Sequence, residues 1–265
     1  MDIYVISPLS DLEPMKLGDR IFALAHLWVQ SAEYRAFILD QKEQGKFITL
    51  DNSAAERALV TEDILIEICR ELMPDEVIAP DVLFDNNATM ANAVQFRNRM
   101  EEEGLLGTID IFFCPQGRTK LQWFSAYNWA LHQDWINVIG FSKIAVPNAF
   151  LENYTDDQGI KEARHMAYDY VKEKGLLLKP IHCLGQGDPT EFAYYDHPMM
   201  RSTDSVYPVF AASLGQDFTV DHTTRTPTPH NFLETFDMSN VNPELIESNI
   251  EFLYKQVGRS LWNKH

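Results

Sequence analysis

Cysteine and long hydrophobic runs are scarce in this chain. Only three cysteines occur among 265 residues, at Cys69, Cys114 and Cys183, and they form neither a CxxC pair nor a cluster with histidines. This spacing excludes a disulfide-rich scaffold and predicts that no structural zinc is bound. No stretch approaches the roughly 18 to 20 apolar residues of a membrane span, and no basic segment precedes the short apolar stretch at the amino terminus. We therefore expect a soluble protein of a reducing, cytoplasmic compartment with no membrane partner.

Positive charge is the other deficit. Lys and Arg together number 22 against 39 Asp and Glu, which gives a formal net charge of −17. A surface this acidic repels a phosphate backbone, so any contact with nucleic acid must be a local basic patch. Core-forming residues are abundant, since 45% of the chain is hydrophobic and 12% aromatic. This composition excludes a mainly disordered or fibrous protein and is typical of a globular enzyme.

Short apolar runs alternate with longer amphipathic stretches, a rhythm typical of β/α units. The predicted strands are Ile3–Ser7, Lys46–Leu50, Glu76–Ile78, Thr108–Phe113, Val138–Phe141, Pro180–Leu184 and Met200–Thr203. The predicted helices are Asp19–Gln44, Thr61–Leu72, Ala91–Glu103, Gln122–His132, Lys161–Lys174 and Pro243–Trp262. Seven strands with helical crossovers favour a (β/α)8 barrel of the TIM type, although no eighth strand is evident. A doubly wound open sheet is the alternative, because periodicity does not show whether a sheet closes. We predict one domain over residues 1–265.

Polar residues end six of the predicted strands, which is where the working side chains of an α/β barrel stand. They are Asp51-Asn52-Ser53, Asp81, Pro115-Gln116-Gly117, Gly140 with Ser142, Gly185-Gln186-Gly187 and Asp204-Ser205. None is diagnostic alone. Taken by itself, Asp51 is typical of a helix N-cap, and Gly185-x-Gly187 is typical of a tight turn.

The sequence lacks the motifs of several common enzyme classes. The segment Gly140-Phe141-Ser142-Lys143-Ile144 lacks the last glycine of a nucleophile elbow, and neither an HExxH nor a Walker A sequence is present. His182 lies inside an apolar run and is interpreted as a hydrogen-bonded core histidine. Asp51 and Asp204 remain as two carboxylates at separate strand ends, the minimum equipment for substitution at a glycosidic carbon with retention.

Five short motifs follow one another along the chain. They are Asp51-Asn52-Ser53-Ala54-Ala55-Glu56, Cys114-Pro115-Gln116-Gly117, Ile139-Gly140-Phe141-Ser142, His182-Cys183-Leu184-Gly185 and Ser202-Thr203-Asp204-Ser205. Their order resembles that of the tRNA-guanine transglycosylases, and more closely that of their DNA-modifying relatives, which insert 7-deazaguanines. The resemblance spans about residues 46 to 210 and depends on the order of the motifs.

The resemblance implies a (β/α)8 barrel, a covalent enzyme–nucleic-acid intermediate and no cofactor. By motif position, Asp204 would be the nucleophile toward C1′ of the target guanosine. Asp51 would be the general acid/base toward the leaving and incoming bases. The same positions imply a base-binding set, with Asp85 as a rival to Asp81 and with Phe141 or Phe84 as the stacking aromatic. That set is Asp81, Gln116, the backbone of Gly140 and Phe141, Leu184 and Asn52.

The chain also departs from the tRNA enzymes. Their carboxyl-terminal Cys₃His zinc site has no counterpart, because no cysteine follows Cys183. The implied partners are therefore DNA, preferably single-stranded or opened by an accessory protein, and a free 7-deazaguanine base such as preQ0. A phage gene would place the enzyme in the host cytoplasm. Arg118 and Lys120 are the predicted phosphate contacts, with Lys143 and Arg201 as further members of a basic rim.

Three alternatives to this function remain open. The first is base exchange in tRNA, and the second is hydrolysis of a nucleoside or nucleotide by the same carboxylates. The third is a catalytically silent barrel that binds a purine or another protein.

Overall fold

Eight parallel strands form one continuous sheet in the computed structural model, which describes residues 1–54, 60–151 and 157–262. Each strand is short, and most of its residues are buried. The strands are β1 Asp2–Val5, β2 Ile21–Leu24, β3 Ile48–Asp51, β4 Glu76–Ile78, β5 Asp110–Phe113, β6 Ile136–Ser142, β7 Ile181–Leu184 and β8 Met200–Ser205.

Helices connect most of the successive strands and cover the outside of the sheet, whereas the β1–β2 and β7–β8 connections contain only the short 3-10 turns Glu13–Leu17 and Glu191–Tyr194. They are α1 Ala25–Gln30, α2 Ala32–Glu43, α3 Glu62–Leu72, α4 Asn86–Glu102, α5 Lys120–Leu131, α6 Ala145–Phe150, α7 Asp157–Glu173, α8 Tyr207–Ser213, α9 Phe232–Thr235 and α10 Pro243–Gln256. Side chains cap the first turns of several helices, as Thr61 does for α3 and Asp85 for α4. Within the described ranges, no helix is both long and apolar enough to cross a membrane.

The sheet curls into a nearly closed barrel. The strand order is β1-β8-β7-β6-β5-β4-β3-β2, and every pairing is parallel. The last seam, between β1 and β2, is joined by a parallel bridge of Tyr4 with Arg20 and by a hydrogen bond from the Asp19 amide to the Ile3 carbonyl. The fold is a single α/β domain of the TIM-like (β/α)8 type, as predicted, and the open-sheet alternative is wrong.

The strand that sequence patterning missed is β2. We predicted one helix over Asp19–Gln44, but Ile21–Leu24 is a strand that pairs in parallel with β3, and the helices begin only at Ala25. All four residues of β2 are buried, and no glycine or proline separates them from α1. A fully buried strand that leads directly into a helix has no period-2 signal, so periodicity merges the two elements.

Alternate residues of the strands face into the barrel, whereas the others pack beneath the helices. The rings of Tyr4, Phe22 and Phe112 meet the His182 imidazole in the barrel interior. A second apolar cluster lies outside β1, where Ile3 and Val5 pack with residues of α8 and α10. The barrel interior is thus already filled below the carboxyl ends of the strands, and its open face is the carboxyl-terminal mouth.

Candidate active site at the carboxyl end of the barrel

Both predicted catalytic carboxylates lie at this mouth. Asp51 is the last residue of β3, and Asp204 is the last but one of β8. Burial raises the pKa of the Cys114 thiol well above its usual value, and the negative charges of three nearby carboxylates raise it further. Those carboxylates are Asp81, Asp51 and Asp204. Three strand ends therefore direct negative charge toward one buried thiol.

Asp204 is held through one of its two carboxylate oxygens. Its Oδ1 accepts hydrogen bonds from His182 Nε2 at 3.0 Å and from the Gly185 amide at 2.9 Å. Gly185 has φ +70°, and the side chain of Lys143 occupies the space that a Cβ would need, so this donor position requires glycine. Asp204 is 5% exposed, and among the described residues its Oδ2 makes no hydrogen bond. The carboxylate is anchored, and one oxygen stays available.

His182 is a residue of the site that sequence reasoning did not include. It is fully buried, as its interpretation as a core histidine requires, and its Nδ1 lies 2.8 Å from Ser202 Oγ. Burial lowers the pKa of His182, while the hydrogen bond to Asp204 opposes that shift. The sequence did contain a signal for Ser202, the partner of His182. Residues two apart on a strand share a face, so Ser202 lies on the inward face of β8 with Asp204.

Asp51 is placed by the turn that follows β3. Its Oδ2 accepts a hydrogen bond from the Ser53 amide at 2.8 Å. Ser53 has φ +59°, and its hydroxyl accepts the His26 amide at 3.1 Å and lies 2.8 Å from His26 Nδ1. Thr61, and not Asp51, caps α3, the next helix among the described residues. The remainder of this motif, Ala55-Glu56, lies outside the described residues.

Three of the predicted base-binding residues contact one another. Asp81 Oδ1 accepts from Asn52 Nδ2 at 2.9 Å, and Asp81 Oδ2 accepts from Gln116 Nε2. The Gln116 side-chain oxygen accepts the Phe84 amide at 3.1 Å. We call Asn52, Asp81 and Gln116 the amide–carboxylate cluster. The rival, Asp85, is exposed and caps α4 through the Ala88 amide.

A cavity of about 300 Å³ opens beside this cluster. Asn52 and Asp81 line one part of it, and the rest is mainly apolar. Its volume is at the lower end of the range found for small-molecule sites. The other lining residues are Ala54, Val60, Thr61, Leu65, Pro80, Val82 and Leu83.

Gly140 and Leu184 meet at the inner face of the barrel wall. A Cβ on Gly140 would lie only 2.7 Å from Cys114 Sγ and 2.9 Å from Leu184 Cδ1, so glycine is required there. Leu184 is half-buried at the end of β7. The side chain of Phe141 points the other way and packs edge-on against Trp123 of α5. Phe141 is therefore wrong as a stacking residue, because successive side chains of a strand face opposite sides.

Three residues of the predicted basic rim lie at the carboxyl-terminal end of the barrel, and the fourth does not. Arg118 and Lys120 are exposed just after β5, where the Lys120 ammonium lies 3.8 Å from the centroid of the Tyr170 ring. Lys143 covers Gly185. Arg201 does not belong to the rim: it pairs with Glu76 at the opposite, amino-terminal end of the strands, at 2.8 and 2.9 Å.

Within residues 1–54, 60–151 and 157–262, no group of three or more His, Cys, Asp and Glu side chains is arranged to hold a metal ion. Cys69, Cys114 and Cys183 are all buried free thiols. The absence of zinc stays a prediction for metal analysis of the purified protein.

Comparisons with known proteins assign the chain to no family. No protein-family model and no curated protein sequence matches the chain, so the relationship to the guanine transglycosylases stays a prediction that depends on the five motifs.

Proposed function

We propose that the protein is a base-exchange transglycosylase that replaces guanine in DNA with a 7-deazaguanine such as preQ0. The observation that carries the proposal is the arrangement of the mouth. Among the described residues, Asp204 Oδ2 accepts no hydrogen bond there, and the amide–carboxylate cluster and Asp51 end neighbouring strands of the same barrel. Covalent substitution at a glycosidic carbon needs both a nucleophile and an acid/base group.

In the first half of the reaction, Asp204 Oδ2 attacks C1′ of the target nucleotide. The C1′–N9 bond breaks, its electron pair goes to the departing guanine, and Asp51 supplies the proton that neutralises the base. An ester between Asp204 and C1′ results. The hydrogen bonds from His182 and Gly185 keep Oδ1 from competing as the attacking atom.

In the second half, the carboxylate of Asp51 takes the N9 proton of the incoming 7-deazaguanine. Its nitrogen then attacks C1′, and the Asp204 carboxylate leaves. Two inversions at C1′ restore the β-configuration, as in retaining glycoside chemistry. The proton that Asp51 gave up returns to it, so the exchange requires neither water nor an oxidant.

The amide–carboxylate cluster supplies the complement of a guanine edge. The Asp81 carboxylate accepts from the amides of Asn52 and Gln116, so it is placed to accept hydrogen bonds at this position. The N1–H and the exocyclic amine of guanine are both donors and would exchange or share bonds with this carboxylate. Gln116 adds an amide beside the same edge, and the mainly apolar walls of the cavity can pack against the base.

Chemistry at C1′ requires the target nucleotide to leave the base stack, which costs a few kcal/mol in a duplex and much less in a single strand. A chain with net charge −17 has few cations from which to recover that cost. Arg118 and Lys120 are exposed on the loop beside Gln116 and would contact phosphates there. We therefore propose that single-stranded or partner-opened DNA is the preferred substrate.

The test is incubation of the purified protein with radiolabelled guanine and single-stranded DNA, duplex DNA or tRNA, with incorporated label counted in each. A second arm replaces the labelled base with preQ0 and looks for a denaturant-resistant protein–DNA adduct. Asp85→Asn is the matched control, because Asp85 lies outside the mouth. We expect label in DNA, highest for the single strand. Label in tRNA alone would make the protein a tRNA enzyme, release of guanine without incorporation would make it a hydrolase, and inert substrates in every arm would refute base exchange.

A further inference from the structure

A continuous series of hydrogen bonds crosses the barrel interior and ends on Asp204. At the amino-terminal end, Glu76 is fully buried and holds the Arg201 guanidinium through both of its carboxylate oxygens. Arg201 Nε lies 3.1 Å from Ser202 Oγ, which lies 2.8 Å from His182 Nδ1. His182 Nε2 then lies 3.0 Å from Asp204 Oδ1. We call the series from Glu76 to His182 the interior chain.

The chemistry of its members determines where each hydrogen points. Arginine Nε is only a donor, so Ser202 Oγ accepts from Arg201. Within the described part of the molecule, the only acceptor left for the Ser202 hydroxyl hydrogen is His182 Nδ1. The imidazole proton is therefore on Nε2, and it is donated to Asp204. The carboxylate at the other end requires the same tautomer, because Asp204 Oδ1 can only accept.

Packing immobilises the imidazole in this orientation. The Phe22 ring stacks on it with an interplanar angle of 10°, and the rings of Tyr4 and Phe112 meet it edge-on at centroid distances of 5.3 and 5.5 Å. A ring that is surrounded in this way cannot rotate to exchange its two nitrogens. Burial also lowers the pKa of His182, which favours the neutral ring.

We infer that His182, with its tautomer set by Ser202 and Arg201, is a positioning residue that holds Oδ1 of Asp204 and leaves Oδ2 aimed at C1′. The role deepens the proposed function and rests on Asp204 being its nucleophile. A neutral donor orients the carboxylate without the full positive charge that would stabilise it before attack and weaken it as a nucleophile. His182 itself neither gives up nor receives a proton during the exchange.

The first test compares two substitutions of His182 in single-turnover adduct formation with single-stranded DNA. His182→Leu removes the donor, and we expect the adduct to form about 10²-fold more slowly, the scale of a misplaced reacting group, with DNA affinity unchanged. The side-chain amide of His182→Gln can place a donor near the position of Nε2 and should recover most of that rate. His165→Gln, on the outer helix α7, is the control and should match the unsubstituted protein.

The second test does not depend on activity. Long-range ¹H–¹⁵N NMR of histidine-labelled protein, with His182 assigned by its loss in His182→Gln, should show the Nε2–H tautomer. Ser202→Ala removes one of the two partners that select this tautomer, because Asp204 remains, and it should raise the fraction of the Nδ1–H form above that of the unsubstituted protein while the fold is retained.

The outcomes separate this inference from the proposed function. An Nδ1–H tautomer in the unsubstituted protein, or equal rates for His182→Leu and the unsubstituted protein, would overturn the positioning role. If His182→Leu does not fold, a His182→Gln rate reduced 10²-fold would overturn it equally. Normal turnover by Asp204→Asn would instead refute the proposed function, and the NMR result would still report whether the interior chain sets the tautomer.

Discussion

The two sides of the barrel mouth are built differently. On the β7–β8 side, Asp204 is held by His182 and Gly185, which are donors fixed in the barrel wall, and its other carboxylate oxygen accepts no hydrogen bond from the residues that the structure describes. On the β3–β5 side, both oxygens of Asp81 are bonded to side-chain amides, those of the buried residues Asn52 and Gln116. A ring nitrogen and a backbone amide hold one oxygen of Asp204, whereas side-chain amides hold both oxygens of Asp81.

This difference fits two kinds of work. A nucleophile benefits from an orientation set before the substrate arrives, because no reorganisation is then needed at the moment of attack. A base-binding side chain must be desolvated and hydrogen-bonded in the absence of a base, and must then exchange or share those bonds with the base. Donors fixed in the barrel wall suit the first task, and side-chain amides, which can rotate, suit the second.

Removal of the nucleophile is expected to have the largest effect. Asp204→Asn keeps the size of the side chain but cannot form the ester, so base exchange should fall by a factor on the order of 10⁴ or more. The measurement is label incorporation together with a denaturing gel for the adduct. A circular dichroism spectrum like that of the unsubstituted protein is the control for folding. Adduct formation by the variant would move the nucleophile to another residue.

On the opposite side of the mouth, Asp51→Asn should impair proton transfer without abolishing attack. We expect a loss of about 10² to 10⁴ in kcat, the usual contribution of general acid/base catalysis. Because the amide still accepts the Ser53 amide hydrogen through its oxygen, the turn after β3 should survive. Rates with and without the incoming base separate the two halves of the reaction, and an unchanged kcat would remove Asp51 from the mechanism.

Disruption of the amide–carboxylate cluster should act on binding more than on chemistry. Asp81→Asn leaves one oxygen where two were acceptors, so we expect KM for guanine to rise by about 10- to 100-fold, the loss of one charge-assisted hydrogen bond. The control is Asp85→Asn, since asparagine caps a helix about as well as aspartate. Equal KM values for the two variants would show that the base docks elsewhere.

The basic rim should contribute a smaller and salt-dependent effect. Arg118→Ala together with Lys120→Ala should lower DNA affinity at low salt and should reduce the slope of log affinity against log salt by about 1 to 2 for the loss of two phosphate contacts. Lys255→Ala, on α10, is the control for a change of charge away from this rim. An unchanged slope would mean that nucleic acid approaches another face.

The smallest expected effect is on stability and concerns the buried imidazole. Burial lowers the pKa of His182 in the folded protein. Below the ordinary histidine pKa of about 6.5, the imidazole therefore binds a proton in the unfolded chain but not in the folded chain. The free energy of unfolding should therefore be retained above pH 6.5 and decline below it, by at most about 1.4 kcal/mol per pH unit until the folded-state pKa is reached. Urea unfolding at pH 7.5 and 5.5 should show a shallower decline for His182→Gln. The difference between the two proteins cancels the titration of the carboxylates, and parallel declines would contradict the expectation.

Prediction from the sequence succeeded where a single segment carries the signal. Seven of the eight strands were located, and the carboxyl-end rule brought Asn52, Asp81 and Gln116 to one place before their contacts were known. It failed where two elements share one apolar run, as at β2. It also failed for Phe141, because the sequence of a buried strand does not show which of two neighbouring residues faces the barrel interior.

The sequence by itself determined the alternation of elements, the acidic surface and the polar residues that end the strands, because each depends on neighbours along the chain. Only the tertiary structure decided that the sheet closes and that Arg201 pairs with Glu76, 125 residues away in the chain, inside the barrel. It also decided that His182 donates to Asp204. These contacts join separate strands, and their geometry follows from strand register and barrel closure, which no local pattern encodes.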